Sequence, residues 1–312
     1  MLMDFSVIVL TYNAKDVTLK MLKSLREALQ YLDKKTSKKI KWEVLIQENG
    51  SADGVGEAIK KEFGDFVKIN WDRNVGFAKG NNNSVKLTDK SSKYVLFLNP
   101  DVVLDENAIY KTYKFMEENH DVGLTTCQVD LWTGGLDIDC HRAFPTPWNA
   151  FCYFSGLEKL FGYTFPKQFG GYHLLYKNFK KTHEIDACLG AFMFVRREIG
   201  DKVGWMPEEY FLNGEDVDFC YQIKKIAKSK IMYFPETRVV HYKGASKGTK
   251  KQSENISQAS DKTKVTQINS GIDAMKIFYN KYYVDKYPWV VNKLVFLGIW
   301  ILKQRRIILK KE

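Results

Sequence analysis

Acidic side chains follow apolar runs at two places in the chain, and each place could support chemistry. Asp101 comes shortly after the run YVLFL, with Asn99 two residues before it and Asp105 four residues after it. A carboxylate in this position can bind Mg²⁺ or Mn²⁺, which commonly use one or two carboxylates together with phosphate oxygens of a substrate. A simple turn is the alternative, because Asn, Pro and Asp all favour turns.

The second acidic group is denser and lies in the segment EEYFLNGEDVDFC. It contains Glu208, Glu209, Glu215, Asp216 and Asp218. One of these carboxylates could act as the general base for a hydroxyl nucleophile. Alternatively, the acids near position 215 cap a helix and interact favourably with its N-terminus.

A histidine and several lysines come later and could act on the same ligand. His241 ends the apolar run RVVH and is followed by the glycine- and lysine-bearing segment KGASKG. A histidine at a strand end is often structural, but it can also be a metal ligand. A flexible loop after it could close over a bound diphosphate and exclude water.

The first hundred residues contain the elements that would position these groups. Phe5–Thr11 is a continuous apolar run typical of a strand buried on both faces, and Leu22, Leu25, Leu29 and Leu32 have helical spacing. Further strands are predicted at 42–47, 67–71 and 94–99, and further helices at Val55–Phe63 and Phe77–Leu87. This alternation predicts an α/β fold with a doubly wound, mainly parallel central sheet flanked by helices.

Four polar clusters each follow an apolar run: TYN, ENGSADG, RNVGF and NPD. In an open α/β sheet, ligands bind at the carboxyl ends of the strands. The four clusters therefore predict one site at one edge of the sheet.

The rest of the chain is less regular. Strands are predicted at Phe192–Arg196 and around 231–240, with a helix beginning near Asp216, whereas 122–183 gives little periodic signal. We expect a catalytic domain at 1–245, divided near 105 into a nucleotide-binding half and an acceptor-binding, catalytic half. A mobile basic loop is predicted at 246–265, because it has almost no large apolar residues, and a helical segment at 266–312.

Several protein classes are disfavoured by what the sequence lacks. Neither a G-x-G-x-x-G turn nor a Walker A turn is present, which disfavours hydride transfer and ATPase chemistry. The five cysteines are scattered and odd in number, which argues against a disulfide framework or a zinc site and fits a reducing compartment. The first residues lack a basic region and a cleavage site, so no signal peptide is expected. The net charge of +11 favours anionic partners, but no nucleic-acid-binding motif is present, and we expect no nucleic acid partner.

Taken in order, the clusters resemble those of the inverting GT-A glycosyltransferases of family 2, in particular the bacterial rhamnosyltransferase-like branch. The resemblance covers roughly residues 5–245. It rests on the segments SVIVLTYN, ENGSADG, NVGFAKGNNNS, LFLNPDV, GAFMFVRRE, EEYFLNGEDVDFC and VVHYKGAS.

The resemblance implies that a nucleoside-diphosphate sugar is the donor. Glu48 would face the base where the family has Asp, which leaves uracil and thymine open. Asn99 stands in place of the first Asp of the family's metal motif, so Asp101 and His241 would bind Mg²⁺ or Mn²⁺ with help from the diphosphate. The implied donor-binding residues are Thr11, Tyr12, Asn13, Glu48, Asn49, Arg73, Asn74, Gly76, Phe77, Asn99, Asp101, Lys243 and Lys247.

The resemblance also assigns the chemistry. Asp216 would be the catalytic base, with Glu215 supporting it, and inversion needs only one such base. Gly190, Ala191 and Trp205 would line the sugar and acceptor pocket, with core packing as the alternative.

The C-terminal segment combines aromatic residues, the apolar run 294–302 and five basic residues after Leu302. This composition suits a helix at an anionic membrane surface, with Trp289 and Trp300 near the headgroups. The apolar run is too short to span a membrane. A helix docked on the protein or in a homodimer interface is the alternative. We therefore expect a cytoplasmic enzyme, peripheral at the inner face of the cell membrane.

The expected reaction is transfer of a sugar, with L-rhamnose from dTDP-rhamnose as the first choice, to a lipid-linked surface polysaccharide. The alternatives are a UDP-sugar-dependent transferase for hexose or N-acetylhexosamine, and a noncatalytic sugar-nucleotide or glycan-binding protein.

Overall fold

The computed structural model describes residues 2–243 and 261–308, and within the second range the side chains of residues 269–306. The first third of the chain alternates strand and helix as predicted. Its elements are β1 (Phe5–Thr11), α1 (Lys15–Lys35), β2 (Trp42–Asn49), α2 (Val55–Phe63), β3 (Lys68–Asp72), α3 (Phe77–Leu87), β4 (Tyr94–Leu98), β5 (Val102–Leu104) and α4 (Ala108–Glu118).

Burial explains why these segments take their conformations. All seven residues of β1 and all five of β4 are buried, as expected for central strands covered on both faces. In α1 the leucine stripe is buried while the lysines are exposed, so one face of the helix packs against α2, α4 and β5. The predicted bounds of β1, α2 and α3 agree with the structure.

The second part of the chain is more irregular. Its strands are β6 (Val122–Leu131), β7 (His183–Glu184), β8 (Phe192–Arg196) and β9 (Lys230–His241), and its helices are α5 (Pro147–Ser155), α6 (Leu157–Phe161), α7 (Pro166–Phe169), α8 (Arg197–Val203) and α9 (Glu215–Lys225). A 3₁₀ turn follows β6 at Ile138–Cys140. The three short helices α5 to α7 account for the weak periodic signal of this region.

One sheet contains all of these strands, in the order β3-β2-β1-β4-β8-β6-β9-β5, with β7 paired to β9. Strands β1 to β4 pair in parallel. Beyond β4 the sheet is mixed, because β8 is antiparallel to both of its neighbours while β6 and β9 are parallel. The prediction of a central sheet flanked by helices is confirmed, and its continuous parallel part consists of β1 to β4.

The pairing of β5 with β9 brings distant parts of the chain together. These two strands are antiparallel, and Val102 lies opposite His241. The residue before Val102 is Asp101, whose carbonyl accepts a hydrogen bond from the Tyr242 N–H at 2.8 Å. Backbone pairing alone therefore places Asp101 beside His241.

The C-terminal segment consists of α10 (Asp261–Tyr282) and α11 (Trp289–Ile308), joined by a 3₁₀ turn at Val284–Lys286. Residues 246–260 of the predicted loop lie outside the described residues, and α10 begins before the predicted position near 266. Helix α10 packs on α9, where Tyr282 stacks on Tyr221 with ring centroids 3.9 Å apart. Gly214, at φ +91°, precedes α9 and has room for no side chain, because a Cβ there would lie 2.7 Å from that of Ala274.

Asp218 is the anchor between α9 and α10. Its side chain is fully buried and accepts hydrogen bonds from Tyr210 (2.9 Å) and Gln222 (2.8 Å). It also accepts hydrogen bonds from Tyr282 at 2.5 Å and from Lys281 at 3.0 Å, both on α10. This member of the acidic segment therefore has a structural role.

Candidate functional site

The loops at the carboxyl ends of β1, β2 and β3 are tied together by side-chain to backbone hydrogen bonds. Asn13 accepts a bond from Ala52 N–H at 2.7 Å, and Glu48 accepts bonds from the N–H groups of Gly50 (3.1 Å) and Ser51 (2.6 Å). These bonds join the first two predicted donor-binding loops into one surface.

The third loop is joined to them in the same way. The side chain of Asn49 donates to that of Asn74 at 3.2 Å, and the Asn74 oxygen also accepts from Gly76 N–H at 3.1 Å. Gly76 has φ +88°, and a Cβ there would lie 2.8 Å from the carbonyl oxygen of Phe211, so only glycine fits. Phe77 N–H donates to the same carbonyl at 2.9 Å, which links this loop to the acidic segment.

The remaining donor-binding candidates differ in how exposed their side chains are. Arg73 is exposed and Tyr12 is half-buried at the same edge of the sheet. Thr11 is fully buried and its hydroxyl pairs with that of Thr18 at 3.0 Å, so its side chain is turned into the protein and cannot border a ligand. Lys247 lies outside the described residues.

Asp101 and His241 are in contact, and a second carboxylate lies at the other side of the imidazole. The Nε2 atom of His241 is 3.4 Å from the Asp101 carboxylate, and its Nδ1 atom is 3.4 Å from that of Asp137. Burial disfavours the charged imidazole, but the two carboxylates outweigh it and raise the pKa of His241 to about 9. The isolated protein therefore holds His241 as a cation at neutral pH.

The pairing continues from Asp137 through buried and half-buried groups of alternating charge. Lys243 Nζ bonds Asp137 at 2.7 Å and Asp139 at 2.6 Å. His173 then lies 3.3 Å from Asp139 and 2.9 Å from Glu158. We call this series the ionic chain; its members are Asp101, His241, Asp137, Lys243, Asp139, His173 and Glu158.

Asp216 is joined to this region through Arg142. It lies in the first turn of α9, is buried, and accepts a hydrogen bond from the Arg142 guanidinium at 2.8 Å. Arg142 also interacts electrostatically with Asp139. Glu215, next to Asp216, is buried in the same turn. The structure thus brings Asp101 and His241 into contact and connects Asp216 to them through Arg142 and the ionic chain.

The predicted pocket residues divide into two groups. Gly190 is buried with room beside it, since the nearest atoms to an added Cβ are those of Phe77 at 3.7 Å, and the Ala191 carbonyl accepts from Asn99 N–H. Trp205 instead lies in the core between Phe97 and Phe219 and donates to Asp201. The packing alternative therefore holds for Trp205.

Sequence reasoning missed Asp137, Asp139, Arg142 and His173. Two carboxylates two residues apart, in LDIDC, follow β6 and were a usable signal. His173 had no such signal, because it lies among short helices and meets Asp139 only through the tertiary fold.

We predict that Asp137→Asn lowers the pKa of His241 by at least about one unit, because an opposite charge next to the imidazole is removed. Titration of the histidine ring protons by NMR measures this. The His241 pKa in the folded protein lies above its ordinary value of 6.5, so its ion pairs stabilise the fold fully below about pH 6.5. That contribution is lost as the pH rises through about 9. The variant should show a smaller loss of stability over this interval.

Glu158→Gln is the matched control, because it removes a carboxylate at the opposite end of the ionic chain and should leave the His241 pKa unchanged. An unaltered His241 titration in Asp137→Asn would show that Asp137 does not hold the imidazole.

Comparison with known proteins identifies the family and the fold. The family model of glycosyl transferase family 2 matches residues 6–203, a range that includes Asp101 but ends before Asp216 and His241. The rhamnosyltransferase WbbL of Escherichia coli (strain K12) is 26% identical over 173 residues, which cover 54% of this chain and 61% of that protein. The chain thus spans about three fifths of this relative's length.

Solved structures show the same fold at low sequence identity. S. aureus TarS (residues 1–349) matches 96% of this chain and 80% of its own with a TM-score of 0.51 at 14% identity. GalNAc-T7 with UDP, GalNAc and Mn²⁺ matches 82% of this chain and 47% of its own with a TM-score of 0.52 at 15% identity. The fold is therefore that of the GT-A glycosyltransferases, as predicted, and the chain belongs to glycosyl transferase family 2.

Proposed function

We propose that this protein transfers a sugar from a nucleoside diphosphate to an acceptor hydroxyl with inversion at the anomeric carbon. The observation that carries the proposal is the junction of two groups at one sheet edge: Asp101 with His241, and Asp216 oriented by Arg142. The first pair suits a diphosphate with its metal ion, and the second suits an acceptor hydroxyl. Family membership supports the reaction class.

In this mechanism Asp216 accepts the proton of the acceptor hydroxyl. The acceptor oxygen forms a bond to the anomeric carbon while the bond from that carbon to the diphosphate oxygen breaks. Arg142 holds one carboxylate oxygen of Asp216, and the backbone N–H of Val217 donates to the other, at 2.8 Å in both cases. The base is thereby fixed in position before the substrates bind.

A divalent cation fits the other pair. Asn99 Oδ1 is buried and has no hydrogen-bond partner among the described residues, so an amide oxygen two residues before Asp101 is unpaired. Within the described residues, no group of three or more His, Cys, Asp or Glu side chains could hold a metal. Asp101 and Asp137 lie at opposite ends of the His241 ring, so they cannot share one ion.

Asp101 and His241 would therefore hold Mg²⁺ or Mn²⁺ together with diphosphate oxygens, and the metal would stabilise the leaving group. Lys243 is already bonded to Asp137 and Asp139, so a contact with the diphosphate requires that pairing to open. Asp137 would keep the His241 ring in its orientation from the far side.

The donor we favour is dTDP-L-rhamnose, with a lipid-linked surface glycan as the acceptor. The similarity to a rhamnosyltransferase supports this choice. A UDP-sugar is the alternative, because GalNAc-T7 and TarS were both solved with UDP. A noncatalytic protein that only binds the sugar nucleotide would show donor binding without turnover.

Asp216→Asn should reduce the transfer rate at saturating donor by about 10²-fold or more, because general-base catalysis contributes about 10²- to 10⁴-fold. Asparagine keeps an oxygen for Arg142, so the fold and donor binding should remain. The transfer rate is measured as the release of the nucleoside diphosphate. Asp65→Asn, a change at an exposed carboxylate, is the control. Wild-type turnover in Asp216→Asn would refute the base assignment.

Donor and metal binding can be measured without turnover. We expect dTDP-rhamnose or dTDP to raise the melting temperature in the presence of Mn²⁺, since a ligand that binds only the native state stabilises it. Asp101→Asn should abolish the Mn²⁺-dependent part of this shift. A larger shift with UDP-sugars would select the alternative donor, and an equal shift with excess chelator would exclude the metal role of Asp101 and His241.

We propose that helix α11 binds the anionic inner face of the cell membrane. Val295, Phe296 and Ile299 pack toward the protein, whereas the opposite face is exposed and apolar. No helix in the described parts of the chain is long and apolar enough to cross a membrane. The exposed residues are Trp289, Val290, Leu294, Leu297, Trp300 and Ile301.

The double change Trp289→Ala and Trp300→Ala should weaken binding to vesicles containing phosphatidylglycerol by about tenfold or more, because two indoles no longer enter the interface. Cosedimentation measures this, and raised salt should weaken binding of the unaltered protein. Leu87→Ala, at an exposed site on α3, is the control. Concentration-dependent dimers that the double variant disrupts, without vesicle binding, would select the homodimer instead.

A further inference from the structure

A cleft of about 600 Å³ lies beside the β6–β9 pair, on the face of these strands opposite to His241. Arg238 and Val240 line it, whereas the alternate residues Val239 and His241 are buried on the other side. Residues of β6, the turn after it and the segment before β7 complete the cleft. The lining includes Gln128, Asp130, Trp132, Phe179, Tyr233 and Arg238.

The wall of this cleft contains a buried polar group without a partner. Tyr233 is fully buried, and its hydroxyl makes no hydrogen bond within the described residues. His141 and His183 lie against it, each with ring centroids 5.1 Å from that of Tyr233. Both nitrogens of His141 and the Nε2 atom of His183 also lack partners in the described part of the chain. Unsatisfied buried groups are costly. Of these groups, Tyr233 is the one that lines the cleft, so a hydroxyl-bearing ligand there could supply the hydrogen bond that its own hydroxyl lacks.

Two of the three charged lining residues neutralise each other. Arg238 pairs with Asp105 at 3.2 Å and with Asp130 at 3.5 Å, and Gln128 donates to Asp130 at 2.8 Å. Lys180 is the third; it is exposed and has no ion pair within the described residues, so it alone could pair with an acidic group of a ligand without breaking these contacts. Burial and the neighbouring histidines lower the pKa of His141 to about 3, so this ring is neutral as well.

Aromatic side chains at the cleft provide apolar surface for a ligand. Trp132 is 40% exposed, and its ring is parallel to that of Tyr242, with an interplanar angle of 5°. Phe179 lies 4.2 Å from the His141 ring, measured between centroids. A ligand with apolar ring faces and several neutral hydroxyls, each able to donate and accept, matches such a surface.

We propose that this cleft is an accessory saccharide-binding site. Its natural occupant would be a part of the acceptor glycan that is remote from the reacting hydroxyl. This identification of the occupant rests on the proposed function. Trp132 N–H donates to the His241 carbonyl at 3.2 Å, so the cleft begins where the catalytic edge of the sheet ends. A glycan held here would leave its growing end free to reach Asp216 around the edge formed by β5 and β9.

Saccharide binding is tested on the full chain by saturation-transfer NMR and calorimetry. The probes are oligosaccharides of three to five sugars built from L-rhamnose, D-galactose or N-acetylglucosamine. We expect at least one to bind, and Trp132→Ala to weaken that binding by about fivefold or more. Trp148→Ala, at an exposed tryptophan elsewhere, should leave it unchanged.

Tyr233→Phe separates ligand binding from structure. Without saccharide it should melt at the same temperature as the unaltered protein or higher, because it removes a hydroxyl that has no partner. With saccharide it should bind more weakly. Tyr94→Phe is the matched control: its hydroxyl bonds Glu117 at 2.7 Å, so this change should lower the melting temperature and leave saccharide binding intact.

The proposal is overturned if no oligosaccharide of the panel binds. It is also overturned if Trp132→Ala and Tyr233→Phe both bind like the unaltered protein, because the saccharide then binds elsewhere on the chain. Asp216→Asn should bind the oligosaccharide normally. Failure of the catalytic-base proposal would therefore appear in the transfer assay, and failure of the saccharide-site proposal would appear in the binding assay. In transfer assays, Trp132→Ala should raise KM for a long acceptor, while kcat and the reaction with a single-sugar acceptor stay unchanged.

Discussion

Charge burial is the constraint on which the candidate site depends. An isolated charge inside a protein is strongly disfavoured, and each member of the ionic chain is stable there only because its neighbours carry the opposite sign. The alternation of charge along the ionic chain also determines the positions of its side chains, because a displacement of one group would leave the next one unpaired. Asp101, His241 and Asp137 belong to distant parts of the sequence, and they meet because β5 pairs with β9 and β9 pairs with β6. The sheet therefore assembles the site through backbone register.

The loops at the carboxyl ends of β1, β2 and β3 are held together by side-chain to backbone hydrogen bonds. Asn13, Glu48 and Asn74 use their side chains to satisfy backbone N–H groups of neighbouring loops. Such bonds make the carboxyl edge of the parallel strands a rigid surface, which reduces the ordering cost of ligand binding. The same residues belong to the motifs that carry the family resemblance. Part of what makes those motifs recognisable is thus loop architecture rather than direct ligand contact.

The sequence predicted the fold best where local signals were strong. β1, α2, α3 and β8 have the predicted bounds, because continuous apolar runs and helical stripes are sufficient there. The family resemblance also predicted that Asp101 and His241 lie together, and they are 3.4 Å apart. The segment LDIDC could have marked Asp137 as a candidate, but the sequence could not indicate its contact with His241, since that contact depends on strand register across more than a hundred residues. Trp205 shows the opposite error: a tryptophan near a site resembles a pocket wall until the fold places it in the core.

Asp218 has a consequence that extends beyond its role in packing. It lies two residues after Asp216 on α9, and it holds Tyr282 and Lys281 of α10. A tether on the C-terminal helices is therefore a mechanical linkage to the turn that carries the carboxylate at position 216. The position of α10 and the orientation of the first turns of α9 are coupled in this architecture.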